Sequence, residues 1–297
     1  MRVVQSELYT SLLYNLQNDR QDVDQAVLQA SSGQSVNSLS DNPIAAGQLV
    51  LNRAQIDSVD QFSYSANTIQ GSLNTAQTTL NSVVNSLTQA LSLGTEAAGG
   101  TLSSSEMTGI AGQVGQIKQQ IMGLANTTYQ GNYIFAGTAV NTQPFQLDAN
   151  SSSGVQYTGN ADVNNVQVGE GQSVGMNLPG SNIFSAAGSD VFQALTDLSN
   201  AISTPGGDVA GAISEVQSSF NNVTSQRTFY GNTLQQLSSD STNLNQENLT
   251  LQEFQTSIIS ANPAQAATDL SQAEATLQAS IAAAGQVSQE SLLNYLK

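Results

Sequence analysis

The sequence predicts a mainly α-helical protein, in which both ends of the chain form one long antiparallel helical bundle, partly coiled coil, around a small inserted β domain. Three observations predict it. Both ends carry apolar residues at helical spacing, and the middle of the chain carries short alternating runs between turn residues. Hydrophobic content is 39% and aromatic content 5%, which favours long helix contacts over a thick globular core.

The N-terminal part of the chain predicts three helices, over residues 3–30, 44–93 and 105–130. Gly33 suits a left-handed stop after the first helix. Asn42 can cap the second helix, and Pro43 suits its first position. The apolar residues of the first helix step by four or seven, as expected for a buried stripe: Leu8, Leu12, Leu16, Val23 and Val27.

The middle of the chain changes to β character after Gly131. Short alternating runs such as Val155–Tyr157 and Val166–Val168 lie between Gly, Asn and Asp turns. We therefore predict a small inserted β domain over residues 138–185. Its few apolar residues predict a marginal core.

The C-terminal part predicts helices again, broken at Pro205–Gly207. A coiled-coil seam is indicated by four residues that lie seven apart, Leu237, Leu244, Leu251 and Ile258. Phe254 and Ala261 are partners three residues further on. Asn262 and Pro263 repeat the capping pair of Asn42 and Pro43. The last helix carries a stripe that we expect to serve in assembly: Leu270, Leu277, Ile281, Leu292 and Leu296.

Composition excludes several classes of function. The chain has no His or Cys, which removes the usual nucleophilic triads and zinc sites, so we expect no catalytic residue, no metal and no cofactor. Net charge is −16, and the six basic residues are scattered, which argues against nucleic-acid binding. No apolar run is long enough for membrane insertion, and the first residues lack the apolar region of a secretory signal peptide.

Both helical arms resemble the flagellin family. In the N-terminal arm the resemblance rests on Leu28–Gly33, Val36–Ser38 and Ser40–Leu49. In the C-terminal arm it rests on Ser257–Leu270 and Ser291–Leu296. The resemblance implies three domains. Residues 1–42 and 259–297 form a terminal coiled coil, which is an inner tube around an export channel, and residues 43–137 and 186–258 form a helical rod around it. The β insert, residues 138–185, faces outward, and Asn42 and Pro43 mark the junction between terminal arm and rod.

Two motifs resemble the branch of that family found between flagellar hook and filament: Gly131–Gly137 and the helix start at Asp41–Pro43. This implies a secreted, extracellular structural adaptor that assembles with itself into a ring. Its implied partners are the first hook-associated junction protein and flagellin, together with an export chaperone and the flagellar secretion apparatus. Two alternatives remain, namely a flagellin that forms the filament itself and a secreted coiled-coil adhesin or translocator.

Overall fold

The computed structural model describes residues 2–38, 40–177 and 179–295, and it confirms the mainly α-helical prediction. Within these ranges there are seven helices: α1 (Arg2–Ser32), α2 (Pro43–Ala98), α3 (Ser104–Ala125), α4 (Gly180–Phe184), α5 (Val191–Ser203), α6 (Val209–Ile259) and α7 (Pro263–Tyr295). In the same described ranges, no helix combines the length and the apolar character that a membrane crossing requires.

Six short strands in the described part of the chain form three separate antiparallel hairpins. The strands are β1 (Thr128–Tyr129), β2 (Asn132–Tyr133), β3 (Phe145–Leu147), β4 (Val155–Tyr157), β5 (Asn165–Gly169) and β6 (Gln172–Gly175). In the first hairpin Thr128 faces Tyr133, in the second Phe145 faces Tyr157, and in the third Asn165 faces Gly175.

The chain divides into two compact units. Unit 1 comprises Met1–Ser58 and Glu247–Lys297, and unit 2 comprises Val59–Gln246. The predicted β insert, residues 138–185, lies wholly within unit 2. The division into terminal coiled coil, rod and insert stays a prediction about the assembled protein.

Unit 1 contains α1 and α7, which pack against each other. The segments that connect these helices to the rest of the chain pair in antiparallel fashion, at Gln34 and Ser260. The C-terminal end of α1 therefore lies beside the N-terminal end of α7, as an antiparallel helix pair requires.

Unit 2 is organised around the buried face of α2. Leu80, Val83 and Leu87 are fully buried at the alternating spacing of three and four residues that the sequence predicts. The shorter helices α3 and α5 pack on each other in the same core. Ser103 and Glu106 form a reciprocal capping box at the start of α3, which satisfies backbone donors there.

The hairpin region shares this core, so its interior is better filled than the sequence predicts. Phe145 on β3 is fully buried and lies 5.4 Å, ring centre to ring centre, from Phe184 and 5.3 Å from Phe192 on α5. Phe135 makes an edge-to-face contact with Phe184 at 5.3 Å. The low apolar content that predicts a marginal core is partly offset, because Phe184 on α4 and Phe192 on α5 supply two of the five clustered aromatic rings.

The third helix ends earlier than predicted, at Ala125 rather than near residue 130. The side chain of Asn126 donates to Phe145 O at 2.9 Å and accepts from Phe145 N at 3.0 Å. These two bonds tie the helix end to β3. Gln130 and Gly131 then adopt positive φ values of 51° and 85°, which form the tight turn between β1 and β2.

Candidate functional site

The two segments that join the terminal helices to the rest of the chain are hydrogen-bonded to each other within unit 1. We call them the α1–α2 connector (residues 33–42) and the α6–α7 connector (residues 260–262). Ser35 N donates to Ile259 O at 2.7 Å, and Ala261 N donates to Gly33 O at 2.9 Å. The Ser35 hydroxyl also donates to Ile259 O, at 3.2 Å. These bonds join the point where α1 ends to the point where α7 begins.

Gly33 ends α1 in the left-handed conformation that the sequence predicts. Its φ is +68°, and its N–H donates to Gln29 O at 3.0 Å. An L side chain rarely adopts this conformation, so glycine is suited to the position. The same turn places the Gly33 carbonyl toward Ala261.

The two Asn-Pro pairs start helices in the same way. The Asn42 Oδ1 accepts from Ala45 N at 3.0 Å, and the Asn262 Oδ1 accepts from Ala264 N at 3.0 Å. Each proline is the first residue of its helix, where no backbone N–H is needed. The predicted capping is confirmed at both places, so one local device begins both α2 and α7.

Asp41 organises the α1–α2 connector. Its Oδ2 accepts from the backbone N–H groups of Asn37 at 2.9 Å and Ser38 at 2.8 Å, and its Oδ1 accepts from the Ser38 hydroxyl at 2.7 Å. The hydroxyl and backbone bonds from Ser38, with the backbone bond from Asn37, lower the pKa of Asp41. Gln25 on α1 donates to Asp41 Oδ1 at 3.3 Å.

A small apolar cluster lies next to the connectors. It consists of the buried Val36, Ala45 and Leu49, against which Ile258 and Ile259 pack. One turn beyond Leu49, Asn52 is only 1% exposed, and its Nδ2 donates to Leu251 O at 3.0 Å. The Asn52 Oδ1 has no partner among the described residues. Nothing in the sequence indicates this buried amide, because Asn occurs throughout the chain.

The structure places the predicted assembly residues of the terminal helices at different depths. Half-buried are Leu12, Leu16, Val23, Leu270 and Leu277. Val27 is 44% exposed and Ile281 is 54% exposed. The side chains of Leu8 and Leu292, and all of Leu296, lie outside the described residues.

Two alanines that sequence reasoning missed are the most deeply buried residues of α1 and α7 among those described. Ala26 is 7% exposed and Ala266 is 4% exposed. Alanine allows two helix backbones to approach closely, and its small side chain gives only a weak signal in an apolar pattern. In contrast, several large apolar side chains of α1 are exposed, including Leu13, Tyr14 and Leu28.

The predicted seam of α6 is buried in its first half only. Leu237 and Leu244 are buried, whereas Leu251 and Ile258 are half-buried and Phe254 is 48% exposed.

Among the described residues, no group of three or more acidic side chains is arranged to hold a metal ion. The features of unit 1 are therefore those of helix pairing and helix capping.

Comparison with known proteins matches both ends of the chain. The family model of the bacterial flagellin N-terminal helical region matches residues 5–140, and that of the C-terminal helical region matches residues 213–296. Together these ranges include most of α1, all the residues of unit 2 that precede the hairpins, and α7.

Two curated relatives carry the same name. Flagellar hook-associated protein 3 of Escherichia coli (strain K12) is 28% identical over 184 residues, 61% of this chain and 53% of that protein. Flagellar hook-associated protein 3 of Salmonella typhimurium is 27% identical over 209 residues, 70% of this chain and 61% of that protein. The chain thus spans between half and two thirds of the length of these relatives.

Solved structures share the fold. A putative flagellar hook-associated protein from Vibrio parahaemolyticus matches with a TM-score of 0.67 at 21% identity, covering 74% of this chain and 100% of that one. The flagellar junction protein from Legionella pneumophila matches with a TM-score of 0.60 at 14% identity, covering 73% of this chain and 100% of that one.

Proposed function

The chain belongs to the bacterial flagellin family, and from this premise we propose that it is a structural adaptor of the flagellum that joins the hook to the flagellin filament. The observation that carries the proposal is the pairing of α1 with α7, the two family-matched ends, through hydrogen-bonded connectors. The names of both curated relatives favour the junction over the filament. The role is structural rather than enzymatic.

The exposed apolar side chains of the terminal helices support a role in assembly. Leu13, Tyr14 and Leu28 are each at least half exposed, although α1 already packs against α7. Burial of one such side chain against a neighbour contributes about 1.5–3 kcal/mol. A subunit interface along these helices would cover the exposed side chains. We propose that the predicted assembly residues of the terminal helices lie in the same interface.

The partners follow from the proposed position in the flagellum. They are further copies of this chain in a ring, the first hook-associated junction protein on one side and flagellin on the other. An export chaperone and the flagellar secretion apparatus would act before assembly, and the assembled protein would be extracellular. The capped start of α2 at Asn42 and Pro43 would set the position at which the terminal arm ends.

Deletion of the gene distinguishes the junction adaptor from the two alternative functions. In a strain lacking the gene, an adaptor predicts bare hooks in electron micrographs and unassembled flagellin in the medium, both reversed by the wild-type gene. Absent filaments without shed flagellin would instead indicate a filament subunit. Normal filaments would contradict the proposal and leave a secreted coiled-coil adhesin, which would bind through the hairpin region.

A further inference from the structure

A small cavity lies between α2 and the first hairpin, entirely within unit 2. Its volume is about 60 Å³. Thr68 and Ser72 of α2 line it, together with Tyr129 and Tyr133 of the first hairpin. The assembly features of unit 1 make no use of this cavity. It is therefore a candidate for a separate binding role.

Ser72 indicates that the cavity receives a polar group. The residue is only 4% exposed, and its hydroxyl has no hydrogen-bond partner among the described residues. By contrast, Thr75 and Ser86 on the same helix donate to the carbonyl four residues earlier, at 2.9 Å and 3.0 Å. The Ser72 Oγ is not completely enclosed by neighbouring atoms, so a group in the cavity can reach it. Such a group would satisfy a buried hydroxyl that is otherwise destabilising.

Three further side chains of the lining have free hydrogen-bonding groups. The carboxamides of Asn132 and Asn164, both exposed, and the hydroxyl of Tyr133 have no partner among the described residues. The backbone N–H of Asn164 donates to Asn177 Oδ1 at 2.8 Å, which holds Asn164 beside the cavity. Carboxamides and hydroxyls both donate and accept hydrogen bonds. The cavity therefore suits a ligand that does both as well.

The lining carries no charge. Every described residue that lines the cavity is neutral, although the chain has six basic and 22 acidic residues. An ion would lose hydration here without gaining an ion pair, so the lining favours a neutral ligand. Ile134, Val140 and Met176 also line the cavity and can contact a short apolar stem.

The volume selects the size of the ligand. A water molecule needs about 10–15 Å³ of such space, so 60 Å³ holds a fragment of roughly four to six non-hydrogen atoms. The end of an Asn or Gln side chain has this size. It carries two N–H donors and a carbonyl acceptor on an apolar stem, and it is neutral.

We propose that this cavity binds the carboxamide of an Asn or Gln side chain from a second copy of this chain. The carboxamide oxygen accepts from the Ser72 hydroxyl, and its N–H groups donate to the side-chain oxygens of Asn132 and Asn164. The chain has 35 Gln and 27 Asn residues, more than twice its number of charged residues, so a second copy presents such groups abundantly. The choice of a second copy rests on the proposed ring of identical subunits.

The first test is an NMR titration of the full-length, ¹⁵N-labelled chain with propionamide. Sodium propionate and ethylene glycol are titrated separately, because they replace the carboxamide by a carboxylate and by a diol. Ser72→Ala removes the hydroxyl. Ser86→Ala is the matched control, since Ser86 is 5% exposed on the same helix and does not line the cavity. Circular dichroism establishes that both variants keep the helical content of the wild type.

We expect propionamide to shift the backbone amide signals of Ser72, Tyr133 and Asn164 until they saturate. Loss of one hydrogen bond should weaken this binding about threefold to tenfold in Ser72→Ala, with no change in Ser86→Ala. Propionate and ethylene glycol should shift the same signals much less, because neither combines N–H donors with a carbonyl acceptor.

The second test identifies the occupant. Unlabelled chain is added to the ¹⁵N-labelled chain, and the same three signals are followed. We expect them to shift as the concentration of unlabelled chain rises, and to shift less when the labelled chain carries Ser72→Ala. Excess propionamide should suppress this response, because it competes for the same cavity.

Four results would overturn the proposal. They are no saturable shift with propionamide, equal binding by Ser72→Ala and the wild type, an equal or stronger response to propionate or ethylene glycol, or no shift with unlabelled chain. Each is read from purified protein. The gene deletion that tests the junction role is scored on cells, so failure of one inference is distinguishable from failure of the other.

Discussion

Replacing the buried amide of Asn52 with leucine is expected to stabilise unit 1. Asn52 is 1% exposed, donates one hydrogen bond to Leu251 O, and has an unpartnered Oδ1. In Asn52→Leu the lost hydrogen bond costs about 0.5–1.5 kcal/mol, whereas removal of the unpartnered acceptor gains about 1–3 kcal/mol. Burial of the new apolar side chain gains about 1.5–3 kcal/mol, less any cost of fitting it.

The sum predicts a net gain of about 1–3 kcal/mol after allowance for repacking. Asn52→Asp is the matched opposite, because it has nearly the same shape but buries a charge beside the apolar cluster. It is expected to destabilise unit 1 by about 3 kcal/mol or more at neutral pH.

Amide hydrogen exchange, followed by mass spectrometry on peptides from residues 43–58 and 247–259, measures both effects. We expect slower exchange in Asn52→Leu and faster exchange in Asn52→Asp, relative to the wild type. Faster exchange in Asn52→Leu would refute the reasoning. It would mean that the amide fixes the alignment of α2 with α6, as single buried polar residues do in some coiled coils.

Three further predictions concern other parts of the molecule. Phe145→Ala removes a fully buried ring with three aromatic neighbours, so it should lower the free energy of unfolding, measured with urea, by about 3–5 kcal/mol. Phe145→Leu should lower it clearly less. Equal losses in the two variants would contradict the packing argument. The hydrogen bonds to Asp41 lower its pKa, so they stabilise the connector at neutral pH and are lost as the pH falls through the lowered value. The Ser38 amide signal should therefore titrate with a midpoint below the ordinary 3.8, and Asp41→Asn should abolish that titration, whereas a midpoint at or above 3.8 would be inconsistent with these bonds. Leu277→Glu places a charge on the half-buried stripe of α7, so it should block assembly of the proposed junction and motility while unit 2 stays folded. Gln278→Glu, at an exposed position, is its control. Wild-type motility in Leu277→Glu would count against the interface.

Features set by neighbours in the sequence were predictable. The helical spacing of apolar residues gave the helices of both arms, and Asn42 with Pro43 gave a helix start whose capping bond the structure contains. Gly33 gave the left-handed stop. Each of these depends on residues within one continuous segment, so no knowledge of distant contacts is needed.

Features that depend on distant residues were not predictable. The early end of α3 follows from the bonds of Asn126 to Phe145, and the filled hairpin core follows from Phe184 and Phe192. The connector bonds join backbone atoms, which carry no side-chain signal. Ser219, which is fully buried on α6, looks like any other helical serine until its surroundings are known.

The bond between Ser35 and Ile259 also constrains the order in which the chain folds. Its two residues are 224 positions apart, so the bond closes a loop that contains most of the protein. The length-dependent entropy of that closure is about 5 kcal/mol at 25 °C for a flexible chain. Residues 59–246 form a compact unit, and once they have folded, much of this entropy has already been lost. The terminal helices should therefore pair last, after residues 59–246 have folded.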